Sequence, residues 1–207
     1  AAKWHDWYDY FPWEDLRYGR SDTVTQQILP HIQDWVDSAS STTIRHMRQQ
    51  RMNLCWGLQG FSWHEENSLL RYELLYEVGL IAESPFFDGK LSENITGTPM
   101  HNHHRRVLAT AMSRLRAKLQ YRPVIFELMP QEFTLFQLQQ SIETLNGVEL
   151  HKQNFRRLIH NQNLLEATGK ESLPERGRPA QLYRFKADVL QEGLLSGYKL
   201  KLPTVSN

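Results

Sequence analysis

Apolar residues recur at three- and four-residue spacings through most of this chain, and the breaks between those runs outline its elements. From Thr23 onward, Val24, Ile28, Ile32, Trp35 and Val36 keep a helical period, with Pro30 expected to kink or divide the run. The stretch DSASSTT reads as a linker, and a second helix is predicted over Ile44 to Trp56. A third follows SWHE, whose Ser62 and Glu65 stand at capping-box spacing. Leu69, Leu70, Tyr72, Leu74, Leu75 and Val78 make this helix apolar on more than one side, and Gly79 suits its C-terminus. Ahead of all three, KWHDWYDYFPWEDLRYGRSD has no period but several large aromatics, which predicts an irregular segment packed onto a core.

SPFFDGKLSENITGTPM, residues 84 to 100, collects Pro, Gly, Ser and Asn and reads as the boundary between two modules. Beyond it, Leu108, Met112, Leu115 and Leu119 form one face of an amphipathic helix, with Arg105, Arg106, Arg114, Arg116 and Lys118 around it. RPVIFELMP, a short β-rich apolar run between two prolines, predicts a strand. A helix with a Thr134/Gln137 capping box follows, lined by Leu135, Leu138, Ile142 and Leu145 and stopped by Asn146-Gly147. After a turn over Val148 to Leu150 comes HKQNFRRLI. At about 100° per residue, Phe155, Leu158 and Ile159 share its buried face. Gln153, Arg157 and His160 point the other way, with Asn154 and Arg156 on the flanks and Lys152 at the start. That exposed face has groups able to hydrogen-bond base edges and phosphates, and no carboxylate. Two strands are predicted to close the pattern, Leu164 to Ala167 and QLYRF. Their loop carries Lys170, Arg176 and Arg178.

The fold class expected is therefore mainly α with a C-terminal α+β winged helix-turn-helix, preceded by a mostly helical N-terminal module. The expected domains are 1–100, 101–190 and a tail at 191–207.

Charge sharpens this picture. Residues 1–100 hold 8 Lys/Arg against 14 Asp/Glu, or −6, and the remaining 16 Lys/Arg against 9 Asp/Glu give +7 to residues 101–207. A basic module beside an acidic one suits a polyanionic partner, or attraction between the two halves. Helix, strand, helix, short turn, basic helix and basic-tipped hairpin is the order of a winged helix-turn-helix, whose recognition helix enters the major groove. Double-stranded DNA is thus the expected partner. A winged-helix module that binds protein is the alternative.

YRPVIFELMPQEFTLFQLQQSIETLNGVELHKQNFRRLI, with LLEATG and GRPAQLYRF after it, resembles the C-terminal winged-helix domain of the Nudix-related transcriptional regulators of NAD metabolism, the NrtR group. The resemblance covers about residues 103 to 187. DLRYGRSD and RYELLYEVGLIAE in the first half are similar to the NadQ-type branch of repressors of NAD biosynthesis. The resemblance implies an operator-binding repressor acting as a homodimer, with a nucleotide-type effector such as NAD, ATP or ADP-ribose. Such regulators carry a Nudix-like domain, and YELLYEVGL (residues 72 to 80) is the nearest match to its catalytic box. It keeps Glu73, Leu74, Glu77, Gly79 and Leu80, but Tyr72 stands for the Arg and Tyr76 for a metal-binding Glu. An amphipathic helix with a Gly cap is the preferred reading, and no enzyme activity, catalytic residue or cofactor is expected. A Nudix-type hydrolase or its inactive remnant is the second alternative. No whole Nudix fold fits before the winged helix, so its larger part would precede residue 1; an opening AAKW without Met agrees with a fragment.

Other chemistry is thinner. Arg17 and Arg20 in RYGR could converge on a ligand phosphate, although salt bridges to Asp6, Asp9, Glu14 or Asp15 are the simpler use. HNHH at 101–104 lacks the further ligands a metal would need, and no metal is expected. NIT at 94–96 reads as loop. A lone cysteine, Cys55, excludes an intramolecular disulfide framework, and no run is long enough to span a bilayer. A cytoplasmic protein without membrane association is the expectation.

Overall fold

The computed structural model describes residues 3–18, 22–89, 91–121, 124–172 and 178–188. It divides into two compact units, and the division falls between Leu115 and Arg116.

Unit 1 is helical among its described residues. Two 3-10 turns, Trp7–Asp9 and Pro12–Glu14, bury Phe11 and Trp13 in the aromatic segment. A π-helical turn, Val24–Ile28, runs into α1, Leu29–Asp37. Pro30 marks this change of register because it has no N–H to donate to the preceding turn. α2, Thr42–Trp56, is capped by the Ser41 hydroxyl, which accepts from the Ile44 amide at 3.3 Å. α3 is Ser68–Val78 and ends at Gly79 with φ 85°. A Cβ there would meet the Phe86 carbonyl oxygen at 2.5 Å, so the position requires glycine both for conformation and for space. The Ser62/Glu65 capping box is not used. Glu65–Asn67 forms its own 3-10 turn, and α3 starts behind it without a side-chain cap. NIT belongs to the one-turn α4, Glu93–Thr96, rather than to loop. α5 spans His104–Tyr121. The core joins Phe11, Trp13, Ile28, Ile32, Trp56, Tyr72, Leu74 and Met112.

The division into compact units falls beyond the boundary expected at 84–100, and Arg105 shows how that stretch is tied to unit 1. Its guanidinium is fully buried and pairs with Glu83 at 2.7 Å. It also donates to the carbonyls of Thr96 (2.7 Å), Thr98 (3.2 Å) and Tyr10 (3.3 Å). Gly97 fits beneath it at φ 75°, where a Cβ would lie 2.2 Å from the Tyr10 oxygen. The stretch of Pro, Gly and Asn is thus tied to the N-terminal aromatic segment and to α5. The buried stripe of α5 reads Arg105, Ala109, Met112, Arg116, Leu119. Two of the five basic residues expected around the helix are therefore internal.

Unit 2 follows with α6 (Val124–Leu128), α7 (Leu135–Asn146), α8 (Lys152–Gln162), β1 (Leu165–Ser172) and β2 (Ala180–Phe185). The run VIFEL, expected as a strand, is α6. A short apolar run does not distinguish strand from buried helix by period, and a proline just ahead of it suits a helix start. After α6, Phe133 bridges Tyr183 of the hairpin, the two backbones exchanging N–H to carbonyl bonds of 3.0 and 2.8 Å. β1 and β2 pair antiparallel in the register Leu165↔Phe185 and Ser172↔Ala180, with an irregularity between Ala167 and Glu171. Leu119, Ile125, Phe133, Leu138, Ile142, Val148, Leu150, Phe155, Ile159 and Leu164 are buried apolar residues of unit 2. The tail at 191–207 lies outside the described residues.

Candidate nucleic-acid interface

The helix-turn-helix is fixed by local chemistry readable in its residues. Thr134 and Gln137 complete the expected capping box, and α7 ends at Gly147 with φ 72°. The turn into α8 is pinned from α7: Gln139 donates to the Leu150 carbonyl at 2.8 Å, and the Glu143 carboxylate accepts from the Leu150 amide at 2.9 Å. Arg116 adds a bond of 3.0 Å to the Leu145 carbonyl at the C-terminal end of α7. Sequence reading missed these three pins, although Gln139 and Glu143 lie four apart on one helix face.

α8 buries Phe155 and Ile159 and half-buries Leu158. Lys152, Gln153, Asn154, Arg156, Arg157 and His160 are all exposed, as the helical period requires. Arg157 reaches Asn154 only at 3.5 Å. Its first turn carries no side-chain cap from His151. Open N–H groups beside Lys152 favour an anion there. The side of α8 away from the core thus holds three full positive charges, two amides and an imidazole, with no acid in the helix.

The wing is less open than its sequence suggests. Lys170 pairs with Glu132 at 2.8 Å, and Arg184 with Glu166 at 2.6 Å. Both are exposed pairs, which contribute less than about 1 kcal/mol and exchange readily for a phosphate. Gly169, with φ 77°, sits in the β1 irregularity beside Lys170. Arg178 is exposed at the start of the returning strand, while Arg176 lies outside the described residues.

Unit 1 offers a different chemistry. Arg17 is occupied by Asp15 through bonds of 2.8 and 2.7 Å and lies over the Tyr8 ring; Asp15 holds its guanidinium protonated even more firmly than usual. Arg20 lies outside the described residues. Glu14 serves Arg71 instead, bidentately at 2.6 and 2.8 Å and wholly buried. Glu73 and Glu77 of the box-like helix pair with Arg106 and Arg51. Among the described residues no three His, Cys, Asp or Glu converge to hold a metal, and no helix is long and apolar enough to cross a membrane.

Residues 125–185 match the family described as the NrtR DNA-binding winged helix domain. The ADPR responsive transcriptional repressor NtrR of Acinetobacter baylyi is 39% identical over 82 residues, 40% of this chain and 32% of that protein. The crystal structure of Shewanella oneidensis NrtR complexed with a 27mer DNA aligns at 33% identity with a TM-score of 0.39, covering 49% of this chain and 46% of the other. A second structure of Shewanella oneidensis NrtR aligns at 34% identity with a TM-score of 0.37, covering 44% and 41%. The chain spans about a third of the curated relative it matches and less than half of the solved structures. Residues 125–185 are thus similar to the NrtR-type winged helix.

Proposed function

We propose that this chain is a DNA-binding transcriptional regulator that inserts α8 into the major groove of an operator. The observation that carries the reading is the acid-free, exposed face of α8, backed by Phe155 and Ile159. Lys152, Gln153, Asn154, Arg156, Arg157 and His160 supply donors and acceptors for base edges and phosphates. Lys170, Arg176 and Arg178 on the wing contact the flanking backbone. The relative from Acinetobacter baylyi is named as a repressor responsive to ADPR, which supports repression as the mode of action and a nucleotide as effector. ADP-ribose ranks ahead of NAD and ATP on that ground, and genes of NAD metabolism are the matching targets. The protein binds as a homodimer, with half-sites about one helical turn apart. A hydrolase is the less favoured reading: Tyr72 stands where the box needs its Arg and Tyr76 where it needs a metal-binding Glu.

The test is fluorescence anisotropy of the full chain on its own upstream duplex, with and without ADP-ribose. Saturable binding to that duplex at salt where an unrelated duplex is not bound supports the reading. Equal affinity for both duplexes contradicts it.

A further inference from the structure

The turn that leads into α8 carries an acid on a surface otherwise suited to a polyanion. Glu149 is exposed and stands three positions before Lys152, the first residue of α8. Val148 and Leu150 on either side of it are only 3% and 5% exposed, so Glu149 faces outward between two inward side chains. The backbone has little freedom to change this. Gly147 ends α7 with its amide donating to the Glu143 carbonyl at 2.8 Å. Leu150 is held at both polar backbone atoms: its amide donates to the Glu143 carboxylate at 2.9 Å, and its carbonyl accepts from the Gln139 side chain at 2.8 Å. One carboxylate is therefore presented from a fixed turn.

Other carboxylates of unit 2 answer donors of the unit itself. Glu143 accepts from Gln139 and the Leu150 amide, Glu132 takes Lys170, and Glu166 takes Arg184. Glu149 makes no hydrogen bond or ion pair among the described residues. It does not bond the open amides of α8 either, the ordinary use of an acid just ahead of a helix. Nothing inside the fold accounts for its charge. Against DNA that charge is unfavourable, because a carboxylate beside a docked helix lies within about one Debye length, ~10 Å, of the duplex phosphates.

The repulsion is offset where the carboxylate accepts a hydrogen bond from the duplex. Phosphates offer no donor, but base edges do. In the major groove the donors are cytosine N4 and adenine N6. Adenine sets its N7 acceptor beside that donor, which repels a carboxylate, whereas cytosine shows the donor alone. The N-terminal end of a recognition helix is the part that approaches base edges. We infer that Glu149 is a base-reading residue that selects a cytosine in each half-site by accepting from its N4 amino group. The assignment rests on the reading of α8 as the recognition helix. It adds to the cationic face of α8 a group that repels every duplex and is compensated by the right one, which is how an unfavourable element sharpens specificity.

The test is competition binding of the full chain, as parent, Glu149→Ala and Glu149→Gln. The competitors are its upstream duplex, an unrelated duplex, and versions of the upstream duplex with one base pair replaced at a time. The parent should lose about tenfold in affinity when a particular C·G pair in each half-site is replaced. Glu149→Ala should bind those versions as well as the unaltered duplex, yet keep the parent's preferences at other positions. Both variants should bind the unrelated duplex several-fold more tightly, since the repulsion is gone; a variant that merely failed to fold would bind it more weakly. The assignment is overturned if Glu149→Ala keeps every base preference of the parent, even with affinity raised on all duplexes, which is the result for a carboxylate that only repels. It is also overturned if the position that Glu149→Ala relaxes is not a C·G pair. A parent indifferent to every replacement would sink the regulator reading together with the assignment; sharp preferences retained whole by Glu149→Ala would sink the assignment alone.

Discussion

Glu14 and Arg71 stand 57 positions apart and meet in a pair with no solvent exposure on either side chain. Arg71 also donates to the carbonyls of Cys55, His64 and Glu65 and lies 3.8 Å over the Trp63 ring. Removing one partner of a buried pair leaves the other charge uncompensated and costs about 3–5 kcal/mol. Glu14→Ala should therefore lose stability on that scale in urea denaturation. Asp15→Ala, which releases the partly exposed Arg17, should lose less than about 1 kcal/mol. Equal losses would contradict the burial. The neighbouring Cys55 thiol is pushed up by burial, with Arg71 and Arg51 acting the other way, and the Tyr72 hydroxyl is pushed up by burial and by Glu83. A raised acid stays protonated in the folded protein when the unfolded chain has already ionised. Its stabilising share is full below the unfolded value and is lost as pH rises, beginning near pH ~8.5 for a thiol and ~10 for a phenol. Urea midpoints should therefore fall between pH 8 and pH 10.5 (about the window of those two groups), and Cys55→Ala should flatten the first part of that fall. An unchanged slope would remove Cys55 from the account.

At the scale of elements, what could be read from sequence was what local chemistry decides. α7 carries its own start and stop in Thr134, Gln137 and Gly147, and the structure uses all three. Thr134→Ala should cost about 1 kcal/mol through the lost cap, measurable as a lower thermal midpoint. Ser62→Ala should cost far less, because the look-alike box at Ser62 and Glu65 does not cap α3. A larger loss at Ser62 than at Thr134 would reverse that assignment. The misread elements were those settled by distant partners. VIFEL fits strand or helix equally by pattern, and its packing decided, with the Phe126 ring tilted against that of Phe185 from the hairpin at 4.0 Å between centroids. On α5 a count of charges places Arg105 and Arg116 outside. Glu83 and the carbonyls of Tyr10, Thr96, Thr98 and Leu145 are among the partners that make their burial tolerable, and no periodicity reveals such partners. The same holds for the candidate sites. The candidate DNA face of α8 lies within eleven consecutive residues and shows itself as an absence of acids. A cleft in unit 1, by contrast, is lined by Arg51, Glu73, Phe86 and Arg106 from four separate stretches of the chain.

At the scale of the whole molecule, the excess of +7 in residues 101–207 overstates the charge free to meet a polyanion. Arg105 and Arg116 are internal, while Arg106, Lys170 and Arg184 are each paired with a carboxylate. Much of what remains exposed among the described residues is gathered on α8, so the DNA-binding claim stands or falls on that helix. The most direct measurement is the salt dependence of operator binding by the parent chain and by Arg156→Ala with Arg157→Ala. Each phosphate contact contributes close to one unit to the slope of log affinity against log salt, about 0.9 for duplex DNA. The double variant should bind at least about tenfold more weakly, with the slope reduced by one to two units. Parent-like affinity with an unchanged slope would contradict the assignment of α8 as the recognition helix.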